Sequence, residues 1–82
     1  MNPKAISVKY KGDYQLLITF TDQEIKQFDL SSYINYPVYE PLKDEAFCKK
    51  VKAIDGILQW NEDIDFDSDT LYMESKPITS LA

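Results

Sequence analysis

V51-K-A-I-D-G-I-L-Q-W60 is the stretch whose reading decides the fold. Phe47, Val51 and Ile54 keep a helical spacing that would carry a preceding helix through to Ile54. Asp55-Gly56 argues the other way, because an Asp-Gly pair between apolar residues readily supplies the two positive φ angles of a tight hairpin turn. A two-residue turn there pairs Val51 with Trp60 and Ala53 with Leu58 on one face. The stretch is therefore expected to form a hairpin, residues 51–54 against 57–61.

Upstream, the side chains alternate in three runs. Ile6, Val8 and Tyr10 share one face of a strand over 4–10, and Lys11-Gly12-Asp13 supplies turn chemistry. Leu16, Ile18 and Phe20 share a face over 14–20. After the polar turn Thr21-Asp22-Gln23, Phe28 and Leu30 share a face with the stem of Lys26 over 24–30, leaving Ile25 on the other side. These three strands form an antiparallel meander. Between Ser31 and Pro41 the period breaks down, and the expectation is a loop or a single helical turn begun by Ser31, kept extended near Pro37 and Pro41. Asp44 can cap a short helix near 44–50, with acids at its start and lysines at its end, as the helix dipole favours. The fold class is α+β in a single domain, 1–82.

Downstream lies D63-I-D-F-D-S-D-T-L-Y-M-E74, whose acids fall at the first, third, fifth, seventh and twelfth positions of a calcium-binding EF-hand loop. That reading needs a glycine at the sixth position, where Ser68 stands, and flanking helices, where a strand precedes. A simpler reading points Ile64 and Phe66 inward and Asp63, Asp65 and Asp67 into water, then caps a helix near 69–75 from Asp67 or Ser68. Leu71 and Tyr72 would face the core, and Pro77 would mark the stop. No metal site is assigned.

Composition narrows the function. Fourteen acidic against nine basic residues give a net charge of -5, which disfavours direct nucleic-acid binding. Lys43, Lys49, Lys50 and Lys52 lie close together and read as a solvated face. The single cysteine, Cys48, and the lack of histidine exclude an intramolecular disulfide, histidine-based catalysis and the usual zinc sites. Paired-carboxylate catalysis would have to use Asp63, Asp65, Asp67 or Glu40, and an exposed alternating tract is the wrong place to raise a carboxyl pKa. No cofactor is expected, and the chain reads as non-enzymatic. The start of the sequence has neither a signal-peptide pattern nor an apolar span, so the expectation is a cytoplasmic protein without membrane partners. Tyr33, Tyr36, Val38 and Tyr39 gather large amphipathic side chains in irregular backbone, which marks them as candidate partner-binding residues.

In chain order, F-D-L at 28–30, E-P-L-K-D at 40–44, a hairpin ending in Trp60-Asn61, and D-F-D-S-D-T-L-Y followed by S-K-P resemble the bacterial family catalogued as domain of unknown function 2442. The resemblance covers about Pro3 to Ile78. It implies a small α+β domain, found alone or, in some members, followed by a helix-turn-helix domain. This sequence ends at Ala82, so DNA-binding activity is not carried over. Members are often encoded near another small protein in an arrangement like a toxin–antitoxin pair, which suggests a protein partner and an antitoxin-like role. The alternative is a DNA-linked regulator acting only through an associated DNA-binding domain or partner. The resemblance implies no catalytic residue. Family members commonly carry proline where this chain has Ser68, which places the helix cap at Asp67 and makes its carboxylate the expected acceptor for backbone amides.

Overall fold

The apolar runs build two antiparallel sheets that share one core, in a computed structural model describing residues 2–78. The first sheet has strand order β1-β2-β3-β7, with β1 Ala5–Gly12, β2 Gln15–Phe20, β3 Ile25–Asp29 and β7 Lys76–Pro77. The second has order β4-β5-β6, from Lys52–Ile54, Ile57–Gln59 and Asp65–Phe66. Two short α-helices, α1 Glu45–Cys48 and α2 Ser68–Glu74, and two 3-10 segments, Leu30–Ser32 and Pro37–Lys43, connect the strands.

The expected meander is present. Leu16, Ile18 and Phe20 of β2 and Lys26 and Phe28 of β3 face inward and are buried, while Ile25 lies on the exposed side. The second hairpin is present too, over Lys52–Ile54 and Ile57–Gln59, with Ala53 opposite Leu58, Ile54 opposite Ile57, and Asp55 and Gly56 at φ 51° and 84°, while Val51 and Trp60, expected to pair, lie outside the ladder. Positive φ at both central residues gives the turn a twist that matches the flanking strands. The alternative of a helix running to Ile54 therefore fails on the turn.

Four local expectations need correction. Ile6 does not share the inner face with Val8 and Tyr10, because the register steps from Ala5 opposite Phe20 to Ser7 opposite Thr19. That bulge turns Ala5 inward and leaves Ile6 56% exposed. The first hairpin turn is centred one residue later than Gly12 suggests, on Asp13 and Tyr14, both at positive φ. Tyr14 is held there by its amide, which donates to the Tyr10 hydroxyl, and by its own hydroxyl, which donates to the Lys43 carbonyl at 2.7 Å. In the third case the helical turn after β3 (Leu30–Ser32) is capped by Asp29, not Ser31, with the Ser31 amide donating to Asp29.

The prolines, finally, act differently: Tyr36 before Pro37 is extended, at φ -79° and ψ 137°, as expected, but the chain before Pro41 is not, because Pro37–Lys43 is a 3-10 helix. Proline's fixed φ near -65° suits that geometry. At its ends the Tyr39 amide donates to the Tyr36 carbonyl and the Asp44 amide to the Pro41 carbonyl; Pro37 stands in the first turn, where an N–H is not needed, and Pro41 inside the helix.

β7 is an element that the alternation does not announce, because it has two residues, one of them proline. It pairs Lys76 with Gln27 and Pro77 with Lys26, covering part of the β3 edge. Proline fits on a sheet edge because nothing beyond it needs its missing N–H. Lys26 beside it is buried, its ammonium donating to the Tyr72 carbonyl at 2.9 Å and lying 3.7 Å from the centre of the Tyr72 ring. The last turn of α2 is thereby pinned to the sheet.

Candidate functional site

The aromatic segment is a rigid element with two sides. A 3-10 helix has three residues per turn, so residues three apart line up in columns. Tyr39 and Leu42 form the inward column, half-buried and buried respectively. Val38 and Pro41 form an outward one, both exposed. Tyr33, ahead of the helix, also turns inward and stacks on Phe28 with ring centroids 5.4 Å apart. Phe66 of β6 fits between the inward tyrosines, stacked on Tyr39 at 5.1 Å and edge-on to Tyr33 at 5.2 Å.

The four candidate residues thus divide into two anchors and two exposed side chains. Tyr36 is 58% exposed and Val38 54%. They lie where a partner can reach them, on backbone that Tyr33 and Tyr39 hold in place. The spacing Tyr39-x-x-Leu42 is the sequence signal for this division, legible only if the segment is read as 3-10.

The acidic tract is built as a join between sheet and helix. Ile64 and Phe66 are buried, while Asp63, Asp65 and Asp67 between and beside them are exposed. Asp67 occupies the N-cap position of α2, yet its side chain accepts no amide, contrary to the expectation. Ser68 takes the structural part instead. Its hydroxyl donates to the Gly56 carbonyl and accepts the Ala5 amide at 3.0 Å, tying the first sheet, the second hairpin and the helix at one atom. An oxygen serving partners on two other elements cannot be found from local sequence. Among the described residues, no group of three Cys, Asp or Glu side chains converges.

Cys48 is buried, and burial pushes its thiol up to about 11. Its S–H donates to the Leu42 carbonyl, and its own carbonyl accepts the Trp60 indole N–H at 3.1 Å. A thiol held neutral and facing a backbone oxygen is a packing group, not a nucleophile. Tyr72 is also pushed up, to about 12, chiefly by its hydrogen bond to Asp22, with burial and Glu24 adding to the effect. Its hydroxyl reaches Asp22 at 3.1 Å and Glu24 at 3.2 Å.

One recess was not anticipated from the sequence. On the outer side of the first sheet, a cleft of about 460 Å³ is lined by Gln15, Gln27, Asp29, Glu74, Lys76, Pro77 and Ile78. These residues are scattered through the sequence, and the pairing of Gln15 with Asp29 and of Gln27 with Lys76 assembles them. Hydrogen bonds order its floor: Lys11 donates to Gln27, Gln27 to Gln15 at 2.9 Å, and Gln15 to Asp29 at 2.9 Å. The Ser31 hydroxyl and amide also donate to Asp29 and hold its carboxyl below the usual range, with the Ser31 hydroxyl the main cause. Asp29 lines the cleft and also caps the Leu30–Ser32 turn that leads into Tyr33, whose phenol is pushed up by burial, with Glu74 adding to the effect.

Among the described residues, no buried side-chain nitrogen or oxygen lacks a hydrogen-bond partner. No helix of the described residues is long and apolar enough to cross a membrane.

No curated protein and no solved structure matches the chain. The family model described as protein of unknown function (DUF2442) matches residues 5–77, nearly the whole chain, and with that match the chain belongs to this family.

Proposed function

We propose that this protein is a small non-enzymatic interaction module that binds a protein partner through the outward side of its aromatic segment. The observation that carries the reading is the exposure of Tyr36, just before the 3-10 helix, and Val38, in its first turn, on a segment whose other side is fixed by Tyr33, Tyr39 and Leu42. Backbone that is already fixed needs no further ordering on binding, and tyrosine combines apolar area with a polar tip, as interface anchors do. The neutral, buried thiol of Cys48 and the solvent-facing acids of the tract support the non-enzymatic side of the reading.

The test is affinity capture from the native host with the tagged full chain, its Tyr36→Ser/Val38→Ser variant, and Met73→Ser as a control. Met73 is 70% exposed and lies on α2, outside the aromatic segment. A partner retained by the wild type and Met73→Ser and lost from the double variant supports the reading. Equal recovery by all three, or by none, overturns it. If the captured protein arrests growth when expressed alone and is neutralised by this chain, the role is antitoxin-like.

A further inference from the structure

We infer that the outer face of the first sheet is an interface between two copies of this chain, packed face to face about a two-fold axis that runs along β2. The surface is separate from Tyr36 and Val38, and the inference does not rest on the reading above. The inner face of the sheet carries the core, so alternation turns Leu17 and Thr19 of β2 and Ile25, Gln27 and Asp29 of β3 outward. Ala5 and Val8 both turn towards the core, so the bulge between them puts Ile6 and Ser7 together on the outer side.

The strand register sorts these residues into rows. At one end Ser7 lies opposite Thr19 and Thr19 opposite Ile25, whose carbonyl accepts the Ile78 amide. Ile6, Ile25 and Ile78 thus fall in one row across the sheet, and they are 56%, 46% and 42% exposed. Single apolar residues scattered over a surface need no cover, whereas a row of three makes a contiguous patch that gains by being covered. The middle row is Lys9, half-buried Leu17 and Gln27. The far row has opposite charges at its margins, Lys11 on β1 and Asp29 on β3.

This pattern is complementary to itself. A two-fold axis along β2 keeps each row over the same row and exchanges β1 with β3. Ile6 of one copy then meets Ile25 of the other beside Ile78, Leu17 meets Leu17, and Lys11 meets Asp29. An axis across the strands would instead lay the isoleucines on Lys11 and Asp29, so the arrangement selects the first. Such matching of a surface to its own copy is what an isologous contact requires, and it assigns the face to a second copy of the chain. Lys11 spends one donor on Gln27 at 3.3 Å, and its ammonium has two more for the carboxylate across the axis. Lys76, on β7, lies outside the overlap of β1 with β3. Strands about 4.8 Å apart and about six residues long give this face roughly 400 Å² in projection, small for a specific interface, so the dimer dissociates on dilution.

The experiment is sedimentation velocity of the full chain from micromolar to millimolar concentration, with isotope-filtered NOE spectroscopy on a mixture of labelled and unlabelled chain. The expected result is a monomer–dimer equilibrium with intermolecular NOEs between the methyl groups of Ile6 and Ile25. Ile25→Ser, present twice in each dimer, should raise the Kd about tenfold. Lys11→Gln, at an exposed position that leaves the fold intact, should raise it less and make it less sensitive to salt. Tyr36→Ser/Val38→Ser should dimerise like the wild type. A chain that stays monomeric at millimolar concentration, a dimer without the Ile6–Ile25 NOEs, or a Kd unmoved by both sheet variants overturns the inference. So does loss of the dimer in Tyr36→Ser/Val38→Ser, which would move self-association to the aromatic segment. A monomeric result leaves the capture test on Tyr36 and Val38 standing, and a failed capture leaves the dimer standing.

Discussion

The aromatic segment and the acidic tract are the two regions whose composition stands out, and they put opposite kinds of side chain into water. In the tract, Ile64 and Phe66 are buried and the exposed groups are carboxylates, which lose nothing by staying hydrated. In the segment, Tyr33 and Tyr39 pack inward while Tyr36 and Val38 stay outside, where their apolar area gains nothing from water. A repeated acid pattern can thus be fully explained by folding. Exposed apolar side chains gain by being covered, which folding does not do for Tyr36 and Val38.

The two regions meet at Phe66, which offers the largest way to break the contrast. Its ring touches Tyr33, Tyr39, Phe28 and Trp60. Phe66→Ala should cost about 3–5 kcal/mol in urea unfolding, the usual range for a deleted core aromatic. Tyr33→Ala, at a half-buried position, should cost about 2 kcal/mol. A loss below about 1 kcal/mol at both would mean that the inward tyrosines are not anchors.

The start of α2 sharpens the comparison from the side of the tract. Ser68→Ala removes the oxygen that accepts the Ala5 amide and donates to Gly56. It should cost about 2 kcal/mol, while Asp67→Ala, which removes no hydrogen bond, should change stability by less than about 0.5 kcal/mol. Equal costs would restore Asp67 as the cap.

That pair also marks where sequence reading runs out. Asp44 was legible as a cap because its partner, the Ala46 amide, is two residues away. The partners of Ser68 are 12 and 63 residues distant. The meander and the Asp55-Gly56 hairpin were legible for the same local reason, since alternation and turn chemistry lie within a few residues. The bulge at Ile6 was hidden, because Ile6-x-Val8-x-Tyr10 reads as unbroken alternation and only the pairing with β2 displaces it. Of the site, the aromatic segment was visible by composition. Its inward and outward sides were not, and the cleft required the register of three strands.

Tyr72 provides a smaller, pH-dependent test. Its folded pKa stands above the ordinary 10, at about 12, with the hydrogen bond to Asp22 the leading cause. The neutral phenol is the form favoured by folding, so its contribution is complete below pH 10 and is lost as pH rises towards about 12. Urea midpoints should fall across that window, and Tyr72→Phe should flatten the fall. An unchanged slope in the variant would show that Asp22 and Glu24 do not bear on Tyr72 in solution.

The smallest effect on stability belongs to the outward pair, and it carries the central claim. Urea unfolding and partner capture should be measured on one preparation of Tyr36→Ser/Val38→Ser. The account predicts stability within about 0.5 kcal/mol of the wild type, as for exposed positions generally, together with loss of the captured partner. A destabilised variant, or a stable one that still retains the partner, would contradict it.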